Sequence, residues 1–362
     1  MSPTFWLVLL IVTILLFFIT LFKKIRPRWK KFALLLTTLI ASLVLTFKYL
    51  FPLSPALRPS GNETVNVSTI YLTHPTAIPG METNGDNREI PIKIWAPENQ
   101  ENKQHPILIF SHGSFGVADS NETLFLELAS QSYIVVSLSH PHHSFFADMS
   151  DGSTIFVNPT FFNEVMQSQG ANDLEATIES AQNWMSIRLE DLNYVIDSIL
   201  NQTFDHEITQ AIDPNQIILA GHSLGGSAAL AIGRSRPETI QAVISLEAPF
   251  FADITGIEGD EYVFTHEKYP VPILHIYSDA LWGRLDDITT YEMNQRLINL
   301  DSPEFVNHHV EGSGHIGLTD MSLVSPIITN LLDSGLNTKP AEDKLLEINH
   351  QVLDFLNKYL SN

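Results

Sequence analysis

Two long apolar runs open the chain, and the pattern then changes to short apolar segments separated by polar stretches. Residues 5–22 are apolar except for Thr13 and Thr20, and residues 32–51 carry one charge, Lys48, near their end. At about 1.5 Å per residue, each run predicts a helix able to cross roughly 30 Å of hydrocarbon. Residues 52–63 are rich in Pro, Ser, Gly and Asn and read as a linker. Beyond them, residues 67–72 and 90–95 alternate between apolar and polar positions, as half-exposed antiparallel strands do. Residues 106–110, 133–138 and 216–220 are continuous apolar runs, the pattern of parallel strands buried on both faces. Residues 240–246, 272–277 and 304–310 predict three more strands. Helical spacing appears at 122–131, in the long amphipathic segment 177–200, in the small-residue segment 227–232, and at 342–360. Strands alternating with helices predict an α/β domain with a mostly parallel central sheet and helices on both faces. The expected organisation is a transmembrane hairpin over 1–53, a linker over 54–66 and a catalytic domain over 67–362. Within that domain an aromatic-rich insertion over 145–184 reads as a cap on an acyl pocket, with a packed excursion that makes no substrate contact as the alternative.

Charge sharpens the membrane reading. Six of the nine residues from Lys23 to Lys31 are cationic. A short loop this basic is retained in the cytoplasm, so two spans return the chain to the outer face of the cytoplasmic membrane. A cleavage site at Ser54-Pro55-Ala56 is the competing reading. Residues 1–51 hold seven Lys or Arg and no acid, so all 41 acids lie in the remainder against 13 bases. So acidic a body excludes a nucleic-acid partner, which needs a basic footprint. It needs no lipid-facing surface, and the linker can hold it off the bilayer. The chain has no cysteine, which excludes disulfides, thiolate metal sites and a cysteine nucleophile.

The candidate chemistry centres on Gly221-His222-Ser223-Leu224-Gly225-Gly226, between the strand 216–220 and the helix 227–232. Gly-x-Ser-x-Gly at a strand–turn–helix junction is a nucleophile elbow. The glycines let strand and helix pass closely, and the helix start offers the Leu224 N–H to an oxyanion. A serine needs a histidine base and a carboxylate to hold the imidazole. His315, in the small-residue loop after the last strand, meets the first need. His308, His309 and His350 read as structural or surface residues, and His112 as a structural hydrogen-bonding group. Two carboxylates compete for the second role: Glu247, at the end of the strand after the elbow, and Asp279, after the following strand. Asp320 is a candidate brace for the histidine loop. The second oxyanion donor is expected from the Ser114 N–H in the loop after strand 106–110. His140-Pro141-His142-His143 has no nearby carboxylate or cysteine to complete a zinc set, so no metal and no cofactor are expected.

Phe110-Ser111-His112-Gly113, the elbow, and the run from Gly312 to Asp320 together resemble the platelet-activating-factor acetylhydrolase family of α/β-hydrolases over roughly residues 65–335. The hairpin lies outside that resemblance. The family implies calcium-independent hydrolysis of short or oxidised acyl esters, often on phospholipids. It also implies an aspartate where this chain has Glu247, a departure of one methylene. The sequence thus predicts a membrane-anchored serine carboxylesterase taking a small-molecule or lipid ester. Acyl transfer through the same acyl-enzyme and a catalytically silent membrane scaffold are the alternatives.

Overall fold

The structure is a computed structural model that describes residues 3–52, 57–98, 104–168, 173–204, 207–300 and 302–360. The Ser54-Pro55-Ala56 site lies outside them. Helices α1 (Pro3–Phe22) and α2 (Arg28–Leu50) form the expected hairpin. Both are long and apolar enough to cross a membrane, and their apolar side chains are mostly exposed. α2 begins four residues before the apolar run, so Arg28, Lys30 and Lys31 occupy its first turn. Their long stems let the charges leave a helix that still counts as apolar. Lys31 Nζ reaches the Leu21 carbonyl at 2.8 Å, and Ser42 Oγ reaches Thr13 Oγ1 at 3.3 Å.

The stretch expected as a free linker departs from that reading. Ser60 N donates to Glu127 Oε2 at 2.9 Å, Gly61 N to Ser130 Oγ at 3.1 Å, and Glu63 N to the Ser130 carbonyl at 3.1 Å. Ser325 Oγ donates to the Leu50 carbonyl at the end of α2. The body is therefore pinned at the end of the hairpin rather than hung away from it. Composition signals a linker but does not register polar groups that find partners on a distant helix.

The chain continues through β1 (Val65–Pro75), β2 (Asn87–Pro97), β3 (His105–Ser111), α3 (Glu122–Ser130) and β4 (Ile134–Leu138). A short hairpin, β5 (Phe146–Asp148) and β6 (Thr154–Phe156), precedes α4 (Pro159–Ser168) and the long α5 (Leu174–Leu200). Then come β7 (Ile212–His222), α6 (Leu224–Ser235) and β8 (Ile240–Leu246), followed by a second small hairpin, β9 (Ile254–Glu258) and β10 (Glu261–Phe264). β11 (Ile273–Tyr277), α7 (Glu292–Asn299), β12 (Phe305–His309), α8 (Met321–Val324), α9 (Pro326–Leu332) and α10 (Ala341–Leu360) complete it.

Eight strands form one sheet in the order β1-β2-β4-β3-β7-β8-β11-β12. β2 pairs antiparallel with both β1 and β4, and the remaining strands pair in parallel. Successive residues of a strand point to opposite faces, so the buried apolar runs supply both. Ile107, Ile109, Leu219 and Val243 meet α5, α6 and α7 on one side. Leu108, Phe110, Ile218 and Ile244 meet α3 and α10 on the other. β2 was expected half-exposed, yet it is buried on both faces. It sits inside the edge strand, and its polar side chains have partners: Arg88 on Asp191, Glu89 on Ser150 Oγ at 2.6 Å, and Lys93 on Asp119. Alternation in the sequence reports polarity, and here the polar groups are paired instead of solvated.

Candidate active site

Ser223 lies between β7 and α6 with φ 51° and ψ −126°. A non-glycine residue in that region costs about 1–3 kcal/mol and persists only where the surroundings enforce it. Two contacts do so. Ser223 N donates to the Leu246 carbonyl at 2.9 Å. A side chain on Gly225 would run into the Ser111 carbonyl, and one on Gly221 into the Gly225 backbone, so strand and helix pass as closely as the sequence predicts.

His315 stands beside this elbow. Its carbonyl accepts from His222 Nε2 at 3.1 Å, and the two rings lie 4.5 Å apart. The histidine loop is fixed by Asp333, which accepts from Ile316 N and Gly317 N, both at 2.9 Å. The carboxylate expected for that task, Asp320, instead accepts from Thr123 N at 2.7 Å and Thr123 Oγ1 at 2.9 Å at the start of α3. Among the described residues, no hydrogen bond joins Ser223 Oγ to the His315 ring.

The two competing carboxylates separate cleanly. His315 Nδ1 is 2.8 Å from Glu247 Oε1. Asp279 binds His309 Nε2 at 2.7 Å and Gly312 N at 2.9 Å, turned away from His315. Glu247 is buried, with φ 51°, and its carboxylate also accepts from Ser278 N and from Ser278 Oγ at 2.9 Å. The extra methylene is thus absorbed by a left-handed backbone and a grip from the residue just after β11. The strand end where Asp279 was weighed as the acid supplies a brace through its neighbour Ser278. Burial works to lower the His315 pKa, but the Glu247 hydrogen bond and charge, with Asp333, raise it above the ordinary histidine value. Burial and the neighbouring His315 hold His222 well below that value, so its ring is neutral.

The loop after β3 turns at Gly113–Gly116, closed by Gly116 N donating to the Gly113 carbonyl at 3.1 Å. Phe115, its third residue, has φ 61°, on the positive side that a type II turn requires there. Gly113 lies so close to the elbow that a β-carbon on it would sit 3.2 Å from Ser223 Cβ. The residue before Ser114 thus lies against the elbow, and Leu224 follows Ser223 as the first residue of α6. Phe115 packs on Phe161 and Phe162 at ring distances of 5.5 and 4.9 Å. Leu224 packs with Phe161, Val165, Trp184 and Met185, which brings the aromatic insertion onto the elbow.

The remaining histidines have separate duties. His140 binds Asp191 and Ser111, His143 stacks on Phe161 at 3.7 Å, and His142 faces the Glu82 carbonyl. Three rings with three different partners do not converge. His308 pairs with Glu347, and His350 is exposed beside Asp354. His112 donates from Nδ1 to the Gly113 carbonyl at 2.7 Å. Sequence reasoning missed Arg188, Asp191 and Asp333. For the first two a signal exists: both interrupt the apolar stripe of α5, where a charge must have a partner.

A solved ferulic acid esterase from Streptomyces cinnamoneus superposes with a TM-score of 0.61 at 16% identity, covering 84% of this chain and 92% of that one. That likeness gives the α/β-hydrolase fold. A platelet-activating factor acetylhydrolase from Cavia porcellus is 23% identical over 288 residues, 75% of this chain and 61% of the relative. One from Gallus gallus is 22% identical over 289 residues, 72% of this chain and 63% of the relative. The chain thus spans less than two thirds of the length of either. The family model described as platelet-activating factor acetylhydrolase, isoform II, matches residues 82–362, which take in the elbow, the histidine loop and both carboxylates. The chain belongs to that family of α/β-hydrolases.

Proposed function

We propose that the chain is a membrane-anchored serine carboxylesterase acting on short-chain or oxidised acyl esters, phospholipid sn-2 esters among them. The observation that carries the reading is the 2.8 Å bond from His315 Nδ1 to Glu247 Oε1, made beside the strained elbow serine. With Nδ1–H donated to Glu247, His315 Nε2 keeps a lone pair for the Ser223 proton. Ser223 Oγ then bonds to the ester carbon, and the carbonyl π pair moves onto oxygen. The N–H groups of Ser114 and Leu224 receive that oxyanion. Collapse expels the alcohol, which takes the proton from His315 Nε2. Water repeats the sequence, frees the acid and restores Ser223. The mechanism asks for no metal or cofactor. The apolar cluster of Phe115, Phe161 and Leu224 beside the elbow supports a small acyl group and gives the insertion over 145–184 its role as a cap.

The hairpin supports anchoring. Its cationic turn favours a cytoplasmic loop, with the catalytic body on the outer face of the cytoplasmic membrane. The Ser325–Leu50 contact keeps that body at the membrane surface, where lipid esters are concentrated. Turnover of p-nitrophenyl acetate by the pure full-length protein and by Ser223→Ala tests the chemistry. Loss of a triad serine removes several powers of ten, on the order of 10⁶, from kcat. Retained turnover in the folded variant would sink the nucleophile assignment.

A further inference from the structure

Beneath the oxyanion loop lies a chain of polar side chains, none of which touches solvent. Arg88, Ser111, His112, His140, Ser144, Arg188 and Asp191 are each 0% exposed. Arg88 grips Asp191 with Nε at 2.6 Å and Nη2 at 2.9 Å. Asp191 Oδ2 is 2.8 Å from His140 Nδ1, and His140 Nε2 is 2.8 Å from Ser111 Oγ. Arg188 Nη1 then reaches Ser111 Oγ at 3.2 Å and the His112 carbonyl, while Nη2 reaches the Gly113 carbonyl at 3.2 Å.

The direction of every proton in this chain is fixed. Asp191 is an ion paired with Arg88 and can only accept, so His140 Nδ1 carries the proton. Burial and Arg188 lower the His140 pKa to about 4 despite Asp191, so the ring is neutral. Its Nε2 must then accept, and Ser111 donates to it. The lone pair left on Ser111 faces Arg188, which has only donors. Ser111, His140 and Asp191 thus repeat the hydrogen-bond order of a catalytic triad in a place no substrate reaches.

What this chain holds still is one peptide. The Gly113 carbonyl accepts three bonds: from Gly116 N, from His112 Nδ1 and from Arg188 Nη2. In a trans peptide the C=O and the following N–H point in opposite directions. A Gly113 carbonyl drawn inward toward Arg188 therefore directs the Ser114 N–H outward on the elbow side. We propose that Arg188, oriented through Ser111, His140 and Asp191, is a positioning residue that sets the Ser114 N–H as an oxyanion donor. The two guanidinium ions against one carboxylate also leave an uncompensated positive charge below the loop. Its field favours an oxyanion above it in a low-dielectric interior.

The inference rests on the esterase reading, and the test separates the two. Full-length wild type, Arg188→Lys and Ser111→Ala are assayed for kcat and KM on p-nitrophenyl acetate, for Ki with an aryl trifluoromethyl ketone, and for Tm. The ketone adds to the serine as an oxyanion, so its Ki reads donor placement, whereas KM reads ground-state binding. Arg188→Lys keeps the charge and loses the fork that spans two carbonyls. Its kcat should fall about tenfold to a hundredfold with KM within roughly twofold, and the ketone Ki should rise by the same factor as kcat/KM falls. Ser111→Ala cuts the guanidinium from His140 and should move kcat and Ki together by a smaller factor. It carries the test alone if Arg188→Lys fails to fold. A role in folding only would lower Tm and leave kcat and Ki in place, and that result overturns the proposal. A fall in kcat without a matching rise in Ki overturns it too. A wild type that neither turns over nor binds the ketone refutes the esterase reading itself, and this inference with it.

Discussion

Replacing Glu247 by Gln changes one atom type in the site, and the structure dictates what the amide must do. The carboxylate accepts from three donors: His315 Nδ1 and Ser278 Oγ on Oε1, and Ser278 N on Oε2. The Ser278 N–H is backbone and cannot turn away, so the amide oxygen of glutamine takes the Oε2 place. Its NH2 then faces His315 Nδ1. Two donors cannot meet, so the imidazole moves its proton to Nε2, the atom that must accept from Ser223. The wrong tautomer and the lost charge together should cost about 10³- to 10⁴-fold in kcat/KM, roughly 4–5.5 kcal/mol of barrier. Asp279→Asn touches only His309 and the Gly312 N–H and should cost less than about tenfold. The assay is ester hydrolysis across pH, with fluorophosphonate labelling of Ser223 as an independent rate. Residual activity in Glu247→Gln should also show its acid limb at lower pH, since Glu247 contributes to the raised His315 pKa. A crippled Asp279→Asn beside a near-normal Glu247→Gln would refute this reasoning.

Two further outcomes are expected. Burial raises the Asp320 pKa from its ordinary value to about 7, with Glu122 and Asp119 adding to it and the Thr123 hydrogen bonds opposing it. The folded state then binds a proton that the unfolded state gives up near pH 4. Stability should fall as pH rises from about 4 to 7, and thermal melts of Asp320→Asn should lose that slope; a slope unchanged in the variant rejects the assignment. For topology, Asn62→Cys should react with a membrane-impermeant maleimide in intact cells or spheroplasts, and Ile25→Cys only after lysis. The chain has no other cysteine to interfere, and the reverse pattern would put the body in the cytoplasm.

The parts of the fold that were legible are those written in local pattern. Continuous apolar runs gave the parallel strands, because a strand covered on both faces has no polar side to show. The elbow was legible because Gly221 answers to a contact within a few residues, and Gly225 and Gly226 to the ends of the two strands that flank β7. The acid was not. Glu247 and Asp279 end adjacent strands, β8 and β11, and only the left-handed backbone at Glu247 decides which carboxylate turns toward His315. Backbone sign at a non-glycine residue leaves no mark in composition. The Asp333 brace and the Arg188 chain were hidden for a different reason: their partners lie 16 to 103 positions away, and polar pairing has no period. The pinned segment 60–63 was misread on the same account.

The interlock of β3 with the elbow has a consequence for how this protein can be altered. Gly221, Gly225 and Gly226 each face backbone or a buried Ala248 methyl, with no flexible group to yield. Together with the Gly113 turn they form a block in which almost any substitution is a defect. The segment proposed as a cap is of another kind: Phe145, Phe156 and Phe162 are exposed, and it lies in the chain between β4 and β7. Variation at those exposed side chains leaves the sheet intact. A mutagenic library confined to Phe145, Phe156 and Phe162 should therefore yield folded proteins, with shifted acyl preference if the proposed cap lines the acyl pocket, whereas one spread over 221–226 should yield almost none. The molecule divides into a part that is fixed and a part that can learn.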